Sequence, residues 1–548
     1  MKATVDFDYV IVGSGSAGCV LANRLSEDAG VRVLVLEAGG WDRDLWIHIP
    51  LGWGRIVQHR LHDWGYDSGP EPNIDGRLVE CMRGKVVGGS SSINAMAYVC
   101  GHRADYDRWA ASGLSSWSYA HALPYFRRQE SWEGGASTYR GGEGPITTRQ
   151  SRYPDPLVDA WIAAGQEAGQ PVTPDYNGAQ QEGFGRLQSM IRKGKRVSGA
   201  TAYLRPALAR PNLSLEIEAL ATRVIIEGNR AVGVEYVQRG QKRVARASRE
   251  VILSGGVINS PQLLMLSGIG DAEELARHGI AVKAPLRAIG RNLQDHVTAA
   301  INYSRKTPGT FQRNMRLDRI AIGLARAWLF GTGFATDLPS GVVAYLRTDT
   351  SLKVPDVQLL FHAGPLGASP YLPPFKPAFA DGFSCRIVLL RPQSRGRVTL
   401  ASGDPAAPAR IVQNFLATDA DWRTLRAGIR LMRDIGRRAP LAPFVAAELA
   451  PGEGKESEGE LDAHIRATAL TAHHPLGTCK MGGAGDPDRV VDEELRVIGV
   501  ERLRVVDASV MPDLVGGNIN APVVMIAERA SDLIRGKAPL AAASLPNY

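Results

Sequence analysis

The chain has 548 residues, of which 44% are apolar and 22% charged, a composition typical of globular proteins and a length that predicts two domains. The net charge is +8, but the only tight basic run is at residues 192–196, which we interpret as a solvated loop. Because no aromatic residues are interleaved with that run, the charge does not indicate a nucleic-acid-binding module.

Cysteine usage and hydropathy point to the compartment. The five cysteines are scattered and odd in number, which argues against a disulfide framework and favours a reducing environment. No signal peptide precedes the first apolar segment, and no apolar run approaches the roughly 20 residues that span a bilayer. We therefore expect a cytoplasmic protein without a transmembrane segment, for which contact with a membrane surface stays open.

The N-terminal segment predicts a βαβ unit. An apolar strand leads through the glycine-rich turn GSGSAG, residues 13–18, into a helix, and a second strand at residues 31–36 ends before Glu37. The glycines permit a tight turn against the pyrophosphate of a dinucleotide, and Glu37 can accept hydrogen bonds from a ribose. FAD and NAD share this pattern, so it does not name the cofactor, and a turn without a ligand is the alternative reading.

Two further glycine-rich stretches fit the same interpretation. Residues 82–97, MRGKVVGGSSSINAMA, offer small side chains and free backbone N–H groups for close approach to a flat ligand, although a plain surface loop has the same composition. Residues 250–268, EVILSGGVINSPQLLMLSG, repeat the strand-glycine-helix pattern, with Ser260 as the predicted N-cap and Pro261 at the first helical position. The chain would thus return to one sheet, and the cofactor domain would be discontinuous.

The segment from about residue 300 to 465 has a different pattern of apolar and turn-forming residues. Short apolar stretches such as residues 357–361 and 386–390 alternate with Pro- and Gly-rich turns, and one helix is predicted near residues 421–435. Strands of this length predict an antiparallel sheet, which would form a second domain resting on the first.

Near the C-terminus, residues 471–483 read TAHHPLGTCKMGG. The local sequence is compatible with a metal site, an acid/base centre or an ordinary loop. The last predicted helix begins close to Pro522, and Asn518 and Asn520 precede it, where the positive end of the helix dipole favours an anion.

Together these stretches resemble the glucose–methanol–choline (GMC) family of FAD-dependent oxidoreductases, over essentially the whole chain. The motifs that carry the resemblance are GSGSAG with Glu37, RGKVVGGSSSINAMAY, GHRADYDRWA, VILSGGVINSPQLLMLSGIG, GRNLQDH, HPLGTCKMG, VVDASVMP and GNINAP. Their common order makes the resemblance far more specific than any one of them.

The resemblance implies an α/β fold, in which a Rossmann-like FAD-binding domain carries an α+β substrate domain with a mainly antiparallel sheet. We assign residues 1–155, 196–300 and 465–548 to the first domain, and residues 156–195 and 301–464 to the second. Most members of the family oxidise an alcohol by moving its carbon-bound hydrogen as hydride to flavin N5. We therefore expect oxidation of an alcohol, most simply a primary one, with electrons passed to oxygen or a quinone-type acceptor.

Residue roles are carried over position by position. The histidine before proline in H-P-x-G-T is the family's catalytic base, here His474, and its partner is Asn518. A histidine that titrates near neutral pH can take the hydroxyl proton, and an asparagine can donate a hydrogen bond to the developing alkoxide. Some members bind FAD covalently through a histidine where this chain has Ile93, so we expect a non-covalent flavin. The implied FAD contacts are Gly13, Gly15, Ser16, Ala17, Gly18, Glu37, Ala38, Val86, Gly89, Asn94, Ala95, Met96, Ala97, Val224, Asp507, Ala508, Asn520 and Pro522.

Three alternatives stay open at this stage. A copper-type metal site could use His473, His474, Cys479 and Met481, although adjacent histidines diverge on regular backbone. A few relatives use the scaffold as hydroxynitrile lyases that bind FAD without reducing it, and a flavin-binding protein without turnover is the third alternative. His473 could line the substrate cavity or pack beside the flavin, and it is not a predicted catalytic residue.

Overall fold

The computed structural model describes residues 6–365 and 367–545. Its helices are α1 Ser16–Leu25, α2 Leu45–His48, α3 Trp53–Gln58, α4 Arg103–Ala111, α5 Tyr119–Gln129, α6 Leu157–Glu167, α7 Arg205–Ala207, α8 Gly256–Leu266, α9 Ala272–Arg277, α10 Thr310–Asn314, α11 Leu317–Phe330, α12 Asp419–Gly436, α13 Glu458–Thr468 and α14 Asn520–Ile534. Its strands are β1 Asp6–Val12, β2 Val33–Leu36, β3 Glu130–Trp132, β4 Ile146–Gln150, β5 Gly183–Arg186, β6 Gln188–Ser189, β7 Ile191–Arg192, β8 Lys195–Arg196, β9 Leu213–Glu216, β10 Ala219–Glu227, β11 Arg230–Gln238, β12 Gln241–Leu253, β13 Ile269–Gly270, β14 Ala284–Pro285, β15 Val297–Arg305, β16 Val342–Leu346, β17 Val357–His362, β18 Gly382–Leu389, β19 Arg397–Thr399, β20 Arg410–Val412, β21 Val445–Ala450, β22 Leu470–Thr471 and β23 Leu503–Val505.

A mostly parallel sheet organises the first half of the architecture. Its strands lie in the order β10-β11-β12-β1-β2-β9, and β23 pairs with β12. The contacts among β23, β12, β1, β2 and β9 are parallel, whereas β10, β11 and β12 pair antiparallel. The apolar residues of β1 and β2 are buried between helices, as continuous apolar strands of a parallel sheet require. The predicted βαβ unit is therefore present, with β1, α1 and β2 in place.

The second glycine-rich unit also returns to this sheet, but its helix starts earlier than the sequence predicted. Helix α8 begins at Gly256, so Ser260 and Pro261 lie inside it rather than at its cap. Ser260 donates its hydroxyl to Asp507 at 2.6 Å and does not cap the helix. The N-cap preference of serine was thus overridden by a tertiary partner far away in the sequence.

A second sheet is antiparallel throughout, with the order β21-β15-β18-β17-β16-β5 and β22 paired to β15. One face packs on α12, whose Leu425, Ile429 and Met432 are buried in the same apolar cluster. The other face turns towards the glycine-rich loops of the first sheet. The predicted α/β fold with a mainly antiparallel second sheet is confirmed, while the division into domains stays a prediction, since β15 crosses the boundary proposed at residue 300.

Some surface expectations need adjustment. The basic run at residues 192–196 spans a short hairpin of β7 and β8, and Arg196 is buried rather than solvated. All five cysteines are free thiols in the interior. Within the part of the chain that the structure describes, no helix is long and apolar enough to cross a membrane.

Candidate active site

The two sheets enclose a cavity of about 680 Å³. One end is lined by the glycine-rich turns after β1 and β12 and by the start of β10, and the other by β17, β18 and the loop that carries His473 and His474. The cavity therefore joins the dinucleotide-type part of the fold to the antiparallel sheet, where the predicted catalytic residues lie.

The glycine turns bring bare backbone to the cavity wall. Gly13 has φ +97°, and a Cβ there would lie 2.5 Å from the carbonyl oxygen of Ser254. A Cβ on Gly89 would lie 2.7 Å from the Cα of Gly15, so no larger residue fits where these two backbones meet. A Cβ on Gly256 would meet no atom within 4 Å, and a Cβ on Gly15 would meet only the carbonyl oxygen of Ser254, at 3.9 Å. A flat or phosphorylated ligand can thus approach the main chain closely.

Two helices begin at this wall without side-chain caps. Neither α1 nor α14 has an N-cap hydrogen bond from a side chain or an acidic residue in its first turn. Ser16 donates its hydroxyl to Asn520 Oδ1 at 2.7 Å, which ties the two helix starts together. Their first-turn N–H groups and positive dipole ends are suited to anionic groups of a ligand.

His474 and Asn518 meet at the opposite end, as predicted. Asn518 Nδ2 lies 2.9 Å from His474 Nε2. The orientation of the amide is fixed by Gln358, whose Nε2 donates to Asn518 Oδ1 at 3.2 Å and to the hydroxyl of Tyr345 at 3.0 Å. His474 is held by its own backbone N–H, which donates to Asp295 at 2.9 Å.

The proton positions on His474 follow from a chain of contacts. His296 Nε2 lies 3.1 Å from the carbonyl oxygen of Leu390, which can only accept, so this nitrogen carries the proton. A neutral His296 then has a lone pair on Nδ1, which lies 3.0 Å from His474 Nδ1. His474 must donate there, and its own lone pair is left on Nε2, towards Asn518 and the cavity.

Electrostatics keep both rings neutral. Burial lowers the pKa of His296 to about 4. Burial, followed by the neighbouring His296 and His473, holds the pKa of His474 well below its ordinary value. At neutral pH the pair is therefore an uncharged relay that ends in an available base.

The residues of the proposed copper site do not gather. Cys479 and Met481 are fully buried in the main apolar core, whereas His473 and His474 line the cavity. His473 adopts a left-handed backbone with φ +62°, and burial lowers its pKa to about 3. Among residues 6–365 and 367–545, no three His, Cys, Asp or Glu side chains form a group that could hold a metal.

Comparison with known proteins agrees with this geometry. Residues 7–298 and 392–527 match the N- and C-terminal models of the GMC oxidoreductases. Mitochondrial choline dehydrogenase of Mus musculus is 45% identical over 99% of the chain and 92% of its own length. Oxygen-dependent choline dehydrogenase of Brucella anthropi is 43% identical over 98% of the chain and 97% of its own length.

The chain belongs to the GMC oxidoreductase family. Among solved structures, pyridoxine 4-oxidase from Mesorbium loti superposes with a TM-score of 0.87 at 33% identity, covering 97% of the chain and 100% of that structure. The family and these relatives make the chain an FAD-dependent oxidoreductase that acts on an alcohol group, as the sequence predicted.

The residues at the first end of the cavity fit FAD. The uncapped starts of α1 and α14 and the bare backbone at Gly15 and Gly256 suit a pyrophosphate and a flat ring system. The hydroxyl of Ser254 lines the same wall and is buried without a partner among the described residues. Such an orphaned group is expected where a polar ligand belongs.

Most of the predicted FAD contacts line this cavity. They are Gly13, Gly15, Ser16, Ala17, Glu37, Ala38, Gly89, Asn94, Ala95, Met96, Ala97, Asp507, Ala508 and Asn520. Asp507 reaches it with a carboxylate that already accepts from Gly256, Ser260 and Ser509. Asn94 is positioned by Arg196, which donates to its carbonyl and side-chain oxygens at 2.6 and 2.8 Å.

Four predicted contacts do not line the cavity. A Cβ on Gly18 would lie 1.9 Å from the carbonyl oxygen of Gly13, so this glycine serves the packing of the turn. Val86 and Pro522 are buried behind the wall. Val224 donates its N–H to Ser267 at 2.8 Å, and Ala221 lines the cavity instead.

Several residues of the site were missed by sequence reasoning. His296 belongs to the motif GRNLQDH, but the motif alone gives no contact with His474. Asp295 belongs to the same motif, whereas Gln358 and Arg386 lie on β17 and β18, whose cavity-facing side only the sheet register reveals.

Glu37 offers a test of the cofactor end. Its carboxylate accepts from Ser14 N and Oγ at 2.9 and 2.8 Å and from Gly39 N at 2.8 Å, which aims it along the cavity. Glu37→Gln should weaken FAD binding about tenfold, because an amide cannot accept all the hydrogen bonds that the carboxylate accepts. Fluorescence titration of the apoprotein with FAD measures this, and Glu27→Gln, at the end of α1 and away from the cavity, is the matched control. Equal affinities for both variants would contradict the assignment.

Proposed function

We propose that the chain oxidises an alcohol to the aldehyde, with His474 as the base and Asn518 as the group that holds the alcohol oxygen. The observation that carries the proposal is the contact between Asn518 Nδ2 and His474 Nε2, with the lone pair of Nε2 set by the His296 relay. A hydroxyl at this place can accept from the amide and donate to the imidazole at once.

The residues around His474 and Asn518 orient the two side chains for proton transfer. Deprotonation of a bound hydroxyl makes departure of the carbon-bound hydrogen easier, and the amide N–H steadies the charge that grows on oxygen. Bound FAD supplies the acceptor for that hydrogen and its two electrons. Asp295 and Gln358 hold the base and the amide in place, so little reorganisation is needed when a substrate arrives.

We further propose a non-covalent flavin and an oxygen or quinone-type electron acceptor. Ile93 lines the cavity with a hydrocarbon side chain that has no nucleophilic atom. Acid precipitation should therefore release the flavin into the supernatant.

The electron acceptor is tested with enzyme that has been reduced in the absence of air and is then mixed with oxygen or with a soluble quinone. Faster reoxidation by oxygen identifies an oxidase, and faster reoxidation by the quinone identifies a dehydrogenase.

The proposed activity is tested by mixing the holoprotein with a panel of alcohols under anaerobic conditions. Loss of the visible absorbance of the flavin is the expected result. A hydroxynitrile lyase would cleave cyanohydrins and leave the absorbance unchanged, and a flavin-binding protein without turnover would do neither, so either outcome would overturn the proposal.

The pH dependence follows from the depressed pKa of His474. A lowered pKa means that the neutral, basic form persists down to acidic pH. The rate constant for flavin reduction should therefore rise through an acid limb centred well below pH 6.5 and stay level through neutral pH. A limb centred at or above pH 7 in stopped-flow measurements would contradict the assignment of His474 as the base.

A further inference from the structure

The face of the antiparallel sheet above the catalytic pair carries an arginine without a counter-ion. Arg386 lies on β18, opposite Leu360 of β17 and Ala300 of β15. Its neighbours Cys385 and Ile387 point into the apolar cluster beneath the sheet, so the alternation of the strand directs Arg386 into the cavity.

No group of the described residues neutralises this guanidinium. Within the described ranges 6–365 and 367–545, neither a hydrogen bond nor an ion pair reaches its nitrogen atoms, and burial alone lowers its pKa. The titratable side chains that it affects are basic as well. His362 and His473 have their pKa values lowered to about 3, first by burial and then by nearby arginines that include Arg386.

The acidic residues of the cavity are engaged elsewhere. Glu37 is bound to Ser14 and Gly39, and Asp507 to Gly256, Ser260 and Ser509.

Glu80 also lines the cavity. The charges that act on its pKa are those of Arg60, Asp63 and Asp67. An unpaired cation in a closed site is costly unless a ligand brings the opposite charge.

The distance to the catalytic pair suits a small substrate. Gln358 touches Asn518 at 3.2 Å, and Leu360 is the next residue of β17 on the same face, about 6.6 Å along the strand. Arg386 lies directly opposite Leu360, about 5 Å across the sheet. A molecule of a few carbon atoms can thus bridge the guanidinium and His474.

We propose that Arg386 forms a carboxylate-binding subsite, and that the preferred substrate is a hydroxy acid whose alcohol and carboxylate lie at opposite ends. The inference rests on the proposed function. The planar guanidinium can hold a carboxylate through two parallel hydrogen bonds. Trp53, stacked on His362 at 6.4 Å between ring centroids, forms an apolar wall beside it. A quaternary ammonium alcohol such as choline would instead bring like charge to Arg386.

The test compares three matched substrate classes by anaerobic flavin reduction. The first class consists of hydroxy acids, namely the series from 3-hydroxypropanoate to 6-hydroxyhexanoate and 4-(hydroxymethyl)benzoate. The second class consists of the corresponding amides, and the third is choline. At the best chain length, the rate constant divided by the dissociation constant should be about 100-fold higher for the hydroxy acid than for its amide. Arg386→Gln should abolish that preference while changing the amide less than about threefold. Arg347→Gln, which removes a cation paired with Glu182 at the protein surface, should leave the preference intact.

A binding measurement separates this inference from the proposed function. Pentanoate, which has no hydroxyl, should compete with substrate for binding to the parent protein. Pentanamide should not compete with substrate in the parent protein, and pentanoate should not compete with it in the Arg386→Gln variant. If amides and choline reduce the flavin as well as hydroxy acids do, the subsite is wrong and the alcohol oxidation stands. If no alcohol of any charge reduces the flavin, the proposed function itself fails and the inference with it.

Discussion

The His474→Ala variant should reduce its flavin with alcohol about 10²- to 10⁴-fold more slowly than the parent enzyme, because it has no base for the hydroxyl proton. His474 Nε2 is the nitrogen that faces Asn518 and the cavity. Anaerobic stopped-flow absorbance with a saturating alcohol measures the rate constant directly. The affinity for FAD should stay near the parent value, since the alcohol end of the cavity lies away from the glycine turns.

The neighbouring histidine provides the control for this prediction. His473 also lines the cavity, but its ring has no contact with Asn518, and its backbone has φ +62°. His473→Asn keeps a residue that tolerates this left-handed backbone. We expect it to lower the rate constant by less than about tenfold. If His473→Asn removed most of the activity and His474→Ala removed little, the roles of the two histidines would be reversed.

The sequence predicted the parts of the site that depend on local pattern. The turn GSGSAG after an apolar strand predicts a strand, a helix and a ligand at the start of that helix. The structure contains the strand, β1, and the helix, α1. His474 and Asn518 were found because each occupies a fixed place in its own motif. The structure brings the two side chains within 2.9 Å of each other, while their chemical roles stay proposals.

The remaining parts depend on long-range register, which one sequence does not contain. His296 and His474 are 178 positions apart, and the carbonyl of Leu390 that fixes their proton positions comes from a third segment. Arg386 is one of several arginines near short strands, and only the pairing of β18 with β15 and β17 shows that it faces the cavity. Likewise, only the placement of β10 in the fold shows that Ala221 lines the cavity and that Val224 does not.

The second large effect should come from His296, which touches no substrate in the proposed mechanism and acts through His474 as a positioning residue. In His296→Leu the proton on His474 Nδ1 loses its acceptor, so the ring can carry its proton on Nε2, where it blocks the base. The rate constant for flavin reduction should fall about 10- to 100-fold. The dissociation constant of the alcohol should change little, because His296 does not line the cavity.

The pH profile distinguishes this role from a loss of packing. The pKa of His474 depends on its contact with His296, so removing His296 should shift the acid limb of flavin reduction. His296→Asn provides the matched variant, because its amide oxygen can accept from His474 Nδ1 while its nitrogen donates towards Leu390. We expect the His296→Asn variant to keep a rate constant within about tenfold of the parent value. We also expect the acid limb of the pH profile to be shifted in the His296→Leu variant. A leucine variant with the parent limb and only a raised dissociation constant would show that His296 supports the fold of the pocket and does not set the proton of the base.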